Sequence, residues 1–349
     1  MKPENKSLDI NTLVRSNVRT MKPYSSARDD FKGDADIFLD ANENPYPSPY
    51  NRYPDPLQWR VKEKLAPIKK VRPEQIFLGN GSDEAIDLVI RAFCEPHNDS
   101  ILITDPTYGM YAVCADVNAV NVQRVKLTSN FDLDLEKTLE KIDSTTKVIF
   151  FCSPNNPTGN LLSNDKIKAV IEGFRGIVVI DEAYIDFTSG KSFAEGLDIH
   201  PNLIVLQTFS KAWGLAGLRL GMAFASVDII NILNKIKYPY NVNVQTQDLA
   251  LKALSFARQK DQWVVEIIEQ RKKLEKNLSE LSFTTRVFPS DSNFLLVQVS
   301  EALKTYRYLM NRGIIVRDRS NVTLCNDCLR ITVGTPAEND RLLKALNEM

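Results

Sequence analysis

The sequence has 349 residues, more than one hydrophobic core usually serves, so it predicts two domains. Apolar residues make up 43% and charged residues 25%, which is typical of a folded protein and excludes a long disordered segment. The 44 basic residues balance 44 acidic residues, so no overall field would hold the protein on nucleic acid or an anionic membrane, and any anion must bind at a local site.

The N-terminal segment, residues 1–30, is expected to form an arm ahead of the first domain. Residues 1–11 are polar and mixed in charge, which predicts no secretory signal, and no later run approaches the length that spans a membrane. The cytoplasm is therefore the expected compartment.

Prolines at positions 45, 47, 49, 54 and 56 forbid a helix and favour an extended segment lying across a surface.

A large domain, predicted over residues 31–240, alternates short β-rich runs with helical patterns, as expected of an α/β fold with a largely parallel sheet covered on both faces. The helical patterns follow the capping or turn residues Ser82, Tyr108, Asp134 and Ser163. The candidate strands are residues 100–104, 120–126, 147–152, 176–180, 203–208 and 220–225.

The chain changes character after position 240, where a smaller α+β domain is predicted over residues 241–349. A long charged helical stretch occupies residues 245–281, and an apolar run at 294–299 and two further helices follow. Only Cys325 and Cys328 of the five cysteines form a C-x-x-C pair. A zinc knuckle would need a second pair, so no metal site is predicted and reduced thiols are expected.

Polar residues follow three of the predicted strands. Residues 153–159 (SPNNPTG) follow one strand, residues 181–184 (DEAY) the next and residues 209–211 (FSK) a third. Ligands of an open α/β sheet bind beyond the carboxyl ends of its strands, so these loops are expected to face one crevice.

Lys211 is the candidate nucleophile of this crevice. An amine directly after an apolar strand is desolvated, which favours the neutral form that attacks an aldehyde. Pyridoxal 5'-phosphate is the commonest aldehyde that lysines hold as a Schiff base. The dipeptide Ser-Lys, taken alone, more often belongs to a surface loop with an exposed lysine. The assignment of Lys211 therefore depends on the residues around it.

The other parts of a pyridoxal phosphate site have candidates too. Asp181 would keep the pyridine nitrogen protonated, although it could instead cap a turn. Tyr184 and the amide of Asn156 could donate to the phenolate oxygen of the ring.

The phosphate group of such a cofactor also needs a site. Residues 79–84 (GNGSDE) place small residues at the start of a helix, where free N–H groups bind an anion. Ser210 and Arg219 would complete this site through a hydroxyl and a guanidinium group. The alternative for Arg219 is a surface salt bridge.

Together these residues resemble the fold-type I pyridoxal phosphate aminotransferases, and among them the histidinol-phosphate aminotransferases. The likeness spans nearly the whole chain and implies a mostly parallel seven-stranded sheet flanked by helices, with a smaller α+β C-terminal domain. The segments that carry it are 24–28 (YSSAR), 40–45 (DANENP), 52–55 (RYPD), 79–84, 106–111 (PTYGMY), 153–159, 181–184, 209–219, 239–243 (PYNVN) and 329–334 (LRITVG).

The resemblance implies further cofactor contacts. Tyr108 would stack on the ring, and Gly81, Ser82 and Asp83 would lie at the phosphate. Tyr53 would reach the phosphate from a second subunit, because the family is dimeric with its sites at the interface. The alternative for the proline-rich segment is a tail wrapped on its own domain. The implied catalytic residues are Lys211, Asp181 and Tyr184.

The resemblance also implies a substrate site. Arg330 would bind substrate with help from Arg317, Tyr24, Asn42 and Glu43, and Glu43 could accept a hydrogen bond from an imidazole. One cluster must serve the phosphate of histidinol phosphate and the carboxylates of glutamate, and planar guanidinium groups suit both. The implied reaction is transamination between L-histidinol phosphate and 2-oxoglutarate, a step of histidine biosynthesis.

Three alternatives stay open. Similar proteins include a threonine-phosphate decarboxylase and aromatic or aspartate-type aminotransferases, which sequence separates poorly from the implied enzyme. A non-catalytic regulator on the same fold would need an added DNA-binding domain, for which the chain has no room.

Two residues depart from the family pattern, Trp213 and His97, and a bulky Trp213 could narrow substrate choice.

Overall fold

The computed structural model describes residues 8–24 and 35–349, and its strands form two sheets. The strands are β1 (Ile76–Asn80), β2 (Ser100–Asp105), β3 (Asn121–Lys126), β4 (Thr146–Cys152), β5 (Ile177–Asp181), β6 (Leu203–Thr208), β7 (Leu220–Ala225), β8 (Thr284–Val287), β9 (Phe294–Val299), β10 (Arg317–Asp318) and β11 (Cys328–Thr332). The larger sheet has the order β1-β7-β6-β5-β4-β2-β3, and the smaller has the order β10-β11-β9-β8.

Helices connect most of these strands. The α-helices are α1 (Ser16–Thr20), α2 (Trp59–Lys69), α3 (Gly81–Phe93), α4 (Met110–Val117), α5 (Leu135–Lys141), α6 (Asn164–Gly173), α7 (Val227–Ile236), α8 (Val244–Ser255), α9 (Ala257–Ser279), α10 (Ala302–Asn311) and α11 (Pro336–Asn347). Within the described ranges, no helix is both long and apolar enough to cross a membrane. The proline-rich residues 44–56 form neither helix nor strand, as predicted.

The larger sheet confirms the predicted α/β class. Strands β2 to β6 pair in parallel, whereas β7 runs antiparallel between β1 and β6. All six predicted strands are present, each within one residue of its predicted ends. Strand β1 is missing from the prediction because its five residues merge into the glycine-rich turn that begins α3.

Strand β4 shows how the sheet is buried on both faces. Val148 and Phe150 pack into a cluster with residues of α3, α4 and α7. Ile149 and Phe151 pack into a second cluster with residues of α2 and α6. Successive residues of a strand point to opposite faces, so an all-apolar strand follows from two covered faces.

The predicted helical stretch at residues 245–281 is present, and it consists of two helices. Helices α8 and α9 are separated at Phe256, whose φ of −111° and ψ of 30° leave the helical region. Leu254 of α8 packs into a cluster of the larger sheet, whereas Leu274 and Leu278 of α9 pack into the cluster of the smaller sheet. The stretch divides at Phe256 because α8 packs on the core of the larger sheet, whereas the C-terminal part of α9 packs on the core of the smaller sheet. The domain boundaries at residues 30 and 240 stay predictions.

Asp186, which follows β5, links two helices by ion pairs. Its carboxylate lies 3.5 Å from Lys69 Nζ of α2 and 3.2 Å from Lys260 Nζ of α9. Burial raises the pKa of Asp186, but the two ammonium groups more than offset burial, and the net pKa is lowered from its usual value. The pairs therefore hold α9 against the part of the chain that surrounds the larger sheet.

Asp186→Asn should lower the free energy of unfolding by about 3 kcal/mol at neutral pH, because it leaves the largely buried ammonium group of Lys69 without its partner and removes one of the two carboxylates that pair with Lys260. The carboxylate stabilises the folded state above its pKa in the unfolded chain, and this contribution is lost as pH falls through the lower folded-state pKa. Denaturant unfolding should therefore show the variant and the wild type converging in acid.

The matched control is Asp261→Asn. Asp261 also pairs with Lys260, at 2.7 Å, but its side chain is 66% exposed. Its loss should lower the free energy of unfolding by less than about 1 kcal/mol. Equal losses in the two variants would contradict the role given to Asp186.

Candidate active site

A cavity of about 730 Å³ lies beyond the carboxyl ends of β4, β5 and β6. Its walls include Cys152, Asp181 and Thr208, the last residues of those strands. The three polar loops therefore do face one crevice. The predicted site residues that line it are Gly81, Ser82, Asp83, Tyr108, Asn156, Asp181, Tyr184, Ser210, Lys211, Arg219, Arg317 and Arg330.

Lys211 lines this cavity from the loop after β6. Its Nζ lies 5.6 Å from the centroid of the Tyr184 ring. Partial desolvation and then the charge of Arg330 lower the pKa of Lys211, while the carboxylate of Asp181 acts in the opposite direction. The neutral amine that a nucleophile requires is therefore favoured at this position.

Asp181 ends β5 with a buried carboxylate that already has two donors. The Tyr111 hydroxyl donates to Oδ2 at 2.7 Å, and the Ala183 backbone N–H donates to Oδ1 at 3.0 Å. Burial raises the pKa of Asp181 to about 6, and the two hydrogen bonds act against that rise. Sequence reasoning missed Tyr111, although it lies three residues after Tyr108 on the same segment.

Two polar groups face Lys211 from neighbouring loops. Asn156 accepts a hydrogen bond on Oδ1 from Arg330 Nη1 at 2.5 Å, which leaves its amide nitrogen as the group that can donate to a ligand. Burial raises the pKa of Tyr184 well above its usual value, so its hydroxyl stays protonated. Both side chains can act as the ring-oxygen donors that the sequence suggests.

The start of α3 forms a narrow cradle beside Arg219. Gly81 has a φ of +72°, which glycine adopts without strain, and a Cβ there would lie 2.8 Å from Arg219 Nη2. No side chain fits at Gly221 either, because a Cβ at this position would lie 2.1 Å from the backbone nitrogen of Ser82. The Gly81 N–H donates to the Arg219 carbonyl at 2.6 Å, and Ser82 and Asp83, whose N–H groups lie in the first turn of the helix, line the cavity next to the Arg219 guanidinium group.

Asp83 occupies part of the same cradle. Its Oδ2 lies 3.3 Å from Arg219 Nη2, and its Oδ1 accepts a hydrogen bond from the Tyr108 hydroxyl at 3.0 Å. The salt bridge considered as the alternative for Arg219 is therefore present. It lies on the cavity wall, beside Gly81 and Ser82, and not on a remote surface.

Arginines line the side of the cavity formed by the smaller sheet. Arg317 of β10 is directly opposite Arg330 of β11 in their antiparallel pairing. Like charges in this arrangement destabilise a ladder, so the pair favours an anion between them. Arg319 lines the cavity as well and was missed by sequence reasoning. The signal was the spacing in residues 317–320 (RDRS), which puts both arginines on one strand face.

Tyr53, Asn42 and Glu43 line a different cavity, of about 570 Å³. Tyr53 stacks on Tyr240 with ring centroids 4.3 Å apart. Glu43 accepts hydrogen bonds from Arg52 Nη1 at 2.6 Å and from the Tyr53 backbone at 2.7 Å. Within one chain the structure therefore does not bring these three residues to Lys211, and Glu43 already binds an arginine where an imidazole was expected.

Three other residues singled out in the sequence do not line the Lys211 cavity. Tyr24 is 73% exposed, and the rest of its motif, residues 25–28, lies outside the described residues. Trp213 is buried against Phe209 and lines another cavity, so it does not shape the space around Lys211. His97 has a φ of +64°, which explains why glycine is usual at this turn.

Comparison with known proteins agrees with this site. Residues 36–346 match the family described as aminotransferase class I and II. A histidinol-phosphate aminotransferase of Parabacteroides distasonis is 60% identical over 98% of this chain and 99% of its own length. One of Bacteroides thetaiotaomicron is 56% identical over 97% and 98%.

A solved structure gives the same result for the fold. The histidinol-phosphate aminotransferase of Clostridium acetobutylicum superposes with a TM-score of 0.78 at 27% identity, covering 85% of this chain and 90% of that one. The resemblance seen in the motifs is thus confirmed at the level of sequence and of three-dimensional structure. The chain belongs to the aminotransferase class I and II family and, within it, to the histidinol-phosphate aminotransferases.

Proposed function

We propose that this chain is a pyridoxal 5'-phosphate-dependent transaminase that converts L-histidinol phosphate and 2-oxoglutarate into imidazole acetol phosphate and glutamate, and the reverse. The observation that carries the proposal is the common cavity of Lys211, Asp181 and an arginine cluster. A relative named for this substrate, 60% identical over nearly the whole chain, supports the choice of histidinol phosphate. The reaction is a step of histidine biosynthesis.

The donors around the cavity fit pyridoxal phosphate. Asp181 would bind the ring nitrogen, Asn156 and Tyr184 the ring oxygen, and Tyr108 a ring face. The cradle at Gly81, which a Cβ would fill, suits a phosphate group held by N–H groups, Ser210 and Arg219. When bound to Lys211, the cofactor supplies an electron-accepting ring that stabilises negative charge on the substrate carbon.

Lys211 has two roles in this reaction. Its amine would hold the cofactor, and when free it would be the base that takes the proton from the substrate carbon bearing the amino group. The lowered pKa of Lys211 favours the unprotonated amine that both roles need. Asp181, on the wall of the same cavity, would keep the ring nitrogen protonated.

Arg317 and Arg330 bind the anionic groups of the two alternating amino donors. Glutamate brings carboxylates and histidinol phosphate brings a phosphate, and both match a planar guanidinium fork. Because each donor must leave before the other enters, one cluster serves both, and the kinetics should be ping-pong.

We further propose a cytoplasmic homodimer in which Tyr53 enters the partner's site. Support comes from the proline-rich segment, where Tyr46, Tyr50 and Tyr53 are 78%, 59% and 51% exposed, an unusual concentration of aromatic surface. A partner covering this segment would bring Tyr53 and the cavity with Asn42 and Glu43 to the second Lys211. All five cysteines are free and buried, as is common in reducing compartments.

Lys211→Ala should abolish the imine absorbance and reduce turnover by at least about a thousandfold, because one amine both anchors the cofactor and moves the proton. Lys252→Ala, on the exposed side of α8, is the control and should keep both. Parallel assays measure glutamate formed from histidinol phosphate and 2-oxoglutarate, and carbon dioxide released from threonine phosphate, because histidinol phosphate has no carboxylate to lose. Carbon dioxide as the main product would favour the decarboxylase reading, and full turnover by Lys211→Ala would overturn the assignment.

Tyr111→Phe should reduce turnover about tenfold at neutral pH and shift the acid limb of the pH–rate profile upward. Burial raises the pKa of Asp181, and the Tyr111 hydrogen bond lowers it, so removing the hydroxyl raises the pKa further. More of the carboxyl is then protonated near neutral pH, and the ring nitrogen loses part of its ion partner. Tyr306→Phe, on α10, is the control, and identical profiles for all three proteins would argue against this role of Tyr111.

The dimer proposal can be tested by mixing two inactive or weakened proteins. Each mixed dimer of Lys211→Ala and Tyr53→Ala subunits contains one site with an intact Lys211 and an intact Tyr53 from the other chain. That site should bind pyridoxal phosphate with wild-type affinity, which absorbance titration measures. If mixing restores nothing, Tyr53 acts within its own chain or not at all.

A further inference from the structure

Arg319 is a third guanidinium group on the cavity wall, and the reaction described above does not use it. Its backbone N–H donates to the Cys328 carbonyl at 2.8 Å, so the pairing of β10 with β11 continues past Asp318. Residues two apart on a strand share a face, which places Arg319 beside Arg317. Asp318, between them, binds the backbone and hydroxyl of Ser320 at 2.8 and 2.7 Å.

The three arginines Arg317, Arg319 and Arg330 have no carboxylate partner. Within residues 8–24 and 35–349, no Asp or Glu oxygen lies within 4 Å of any of their guanidinium nitrogens. Burial and then the charges of Arg330 and Arg317 lower the pKa of Arg319. Three cations held together without a counterion form a site for an anion.

Arg319 also has an unmet hydrogen-bonding need. Its Nε is buried and has no partner among the described residues. A buried donor without an acceptor destabilises the folded protein, and such groups in native structures are commonly explained by a ligand. Because Arg319 lines the cavity, an anion bound there would contact the guanidinium group to which this Nε belongs.

We propose that Arg319 is the specificity-determining residue for phosphate in the amino donor, a proposal that rests on the transaminase function above. A carboxylate offers two oxygens, which Arg317 and Arg330 can satisfy. A phosphate monoester offers three oxygens and up to two negative charges, and Arg319 supplies the additional fork. The site therefore favours a phosphate ester over a carboxylate of similar size.

The experiment uses the holoenzyme and follows each half-reaction separately by the cofactor absorbance. In Arg319→Gln, the apparent dissociation constant of histidinol phosphate should rise roughly ten- to one-hundredfold, the loss expected for hydrogen bonds to a charged group. That of glutamate should change less than about threefold, with the rate at saturation kept. Arg307→Gln, the same change at an exposed position of α10, should match the wild type.

A binding measurement separates this proposal from the proposed function. Calorimetric titration of the holoenzyme with inorganic phosphate should show binding that Arg319→Gln weakens and Arg307→Gln does not. This readout needs no turnover, so it stands even if the wild type fails to use histidinol phosphate. Arg319→Lys keeps the charge without the fork and should fall between Arg319→Gln and the wild type.

Two outcomes would overturn the role of Arg319. Equal losses for histidinol phosphate and glutamate would mean that the residue only supports the cavity wall. Unchanged affinity for histidinol phosphate and for inorganic phosphate would mean that its guanidinium group does not reach the anion.

Discussion

The site depends on a buried carboxylate at the end of a central strand. A charge in the position of Asp181 costs several kcal/mol unless donors surround it. The Tyr111 hydroxyl and the Ala183 N–H supply two of them, and the raised pKa shows that compensation is incomplete. In the proposed function, a protonated ring nitrogen would be the missing partner. The parallel pairing of β4, β5 and β6 then carries Asn156 and Lys211 to the same cavity.

Much of this arrangement could be predicted from local sequence. Strand ends and the residues directly after them follow from apolar runs, so Lys211, Asp181 and Asn156 could be assigned before any coordinates. Tyr111 could not, because its bond to Asp181 joins positions 70 residues apart and depends on how α4 packs on the sheet. The place of Arg319 on the cavity wall could not be predicted either, because it depends on the pairing of β10 with β11, and β10 is only two residues long. The break at Phe256 arises because α8 and α9 pack on different cores, and the helical pattern of the sequence does not show which core each segment joins.

The cavity wall carries two groups of residues suited to anions although the chain as a whole is neutral. At one end the N–H groups of α3 and Arg219 belong to the larger sheet, and at the other the arginines belong to the smaller sheet. Lys211 lines the same cavity, and partial burial and then the charge of Arg330 lower its pKa and so favour the neutral amine. Arg330, which we propose to bind substrate, therefore also favours the neutral amine that the proposed nucleophile needs.

The ion pair of Asp83 and Arg219 affects how tightly the phosphate group of pyridoxal phosphate would be held. A phosphate that enters the cradle meets a guanidinium group already neutralised at 3.3 Å, so it trades places with an internal counterion and gains less than it would from a bare arginine. Loading the cofactor would therefore exchange one anion for another at Arg219, and the cradle would contribute less to its retention than an unpaired arginine would.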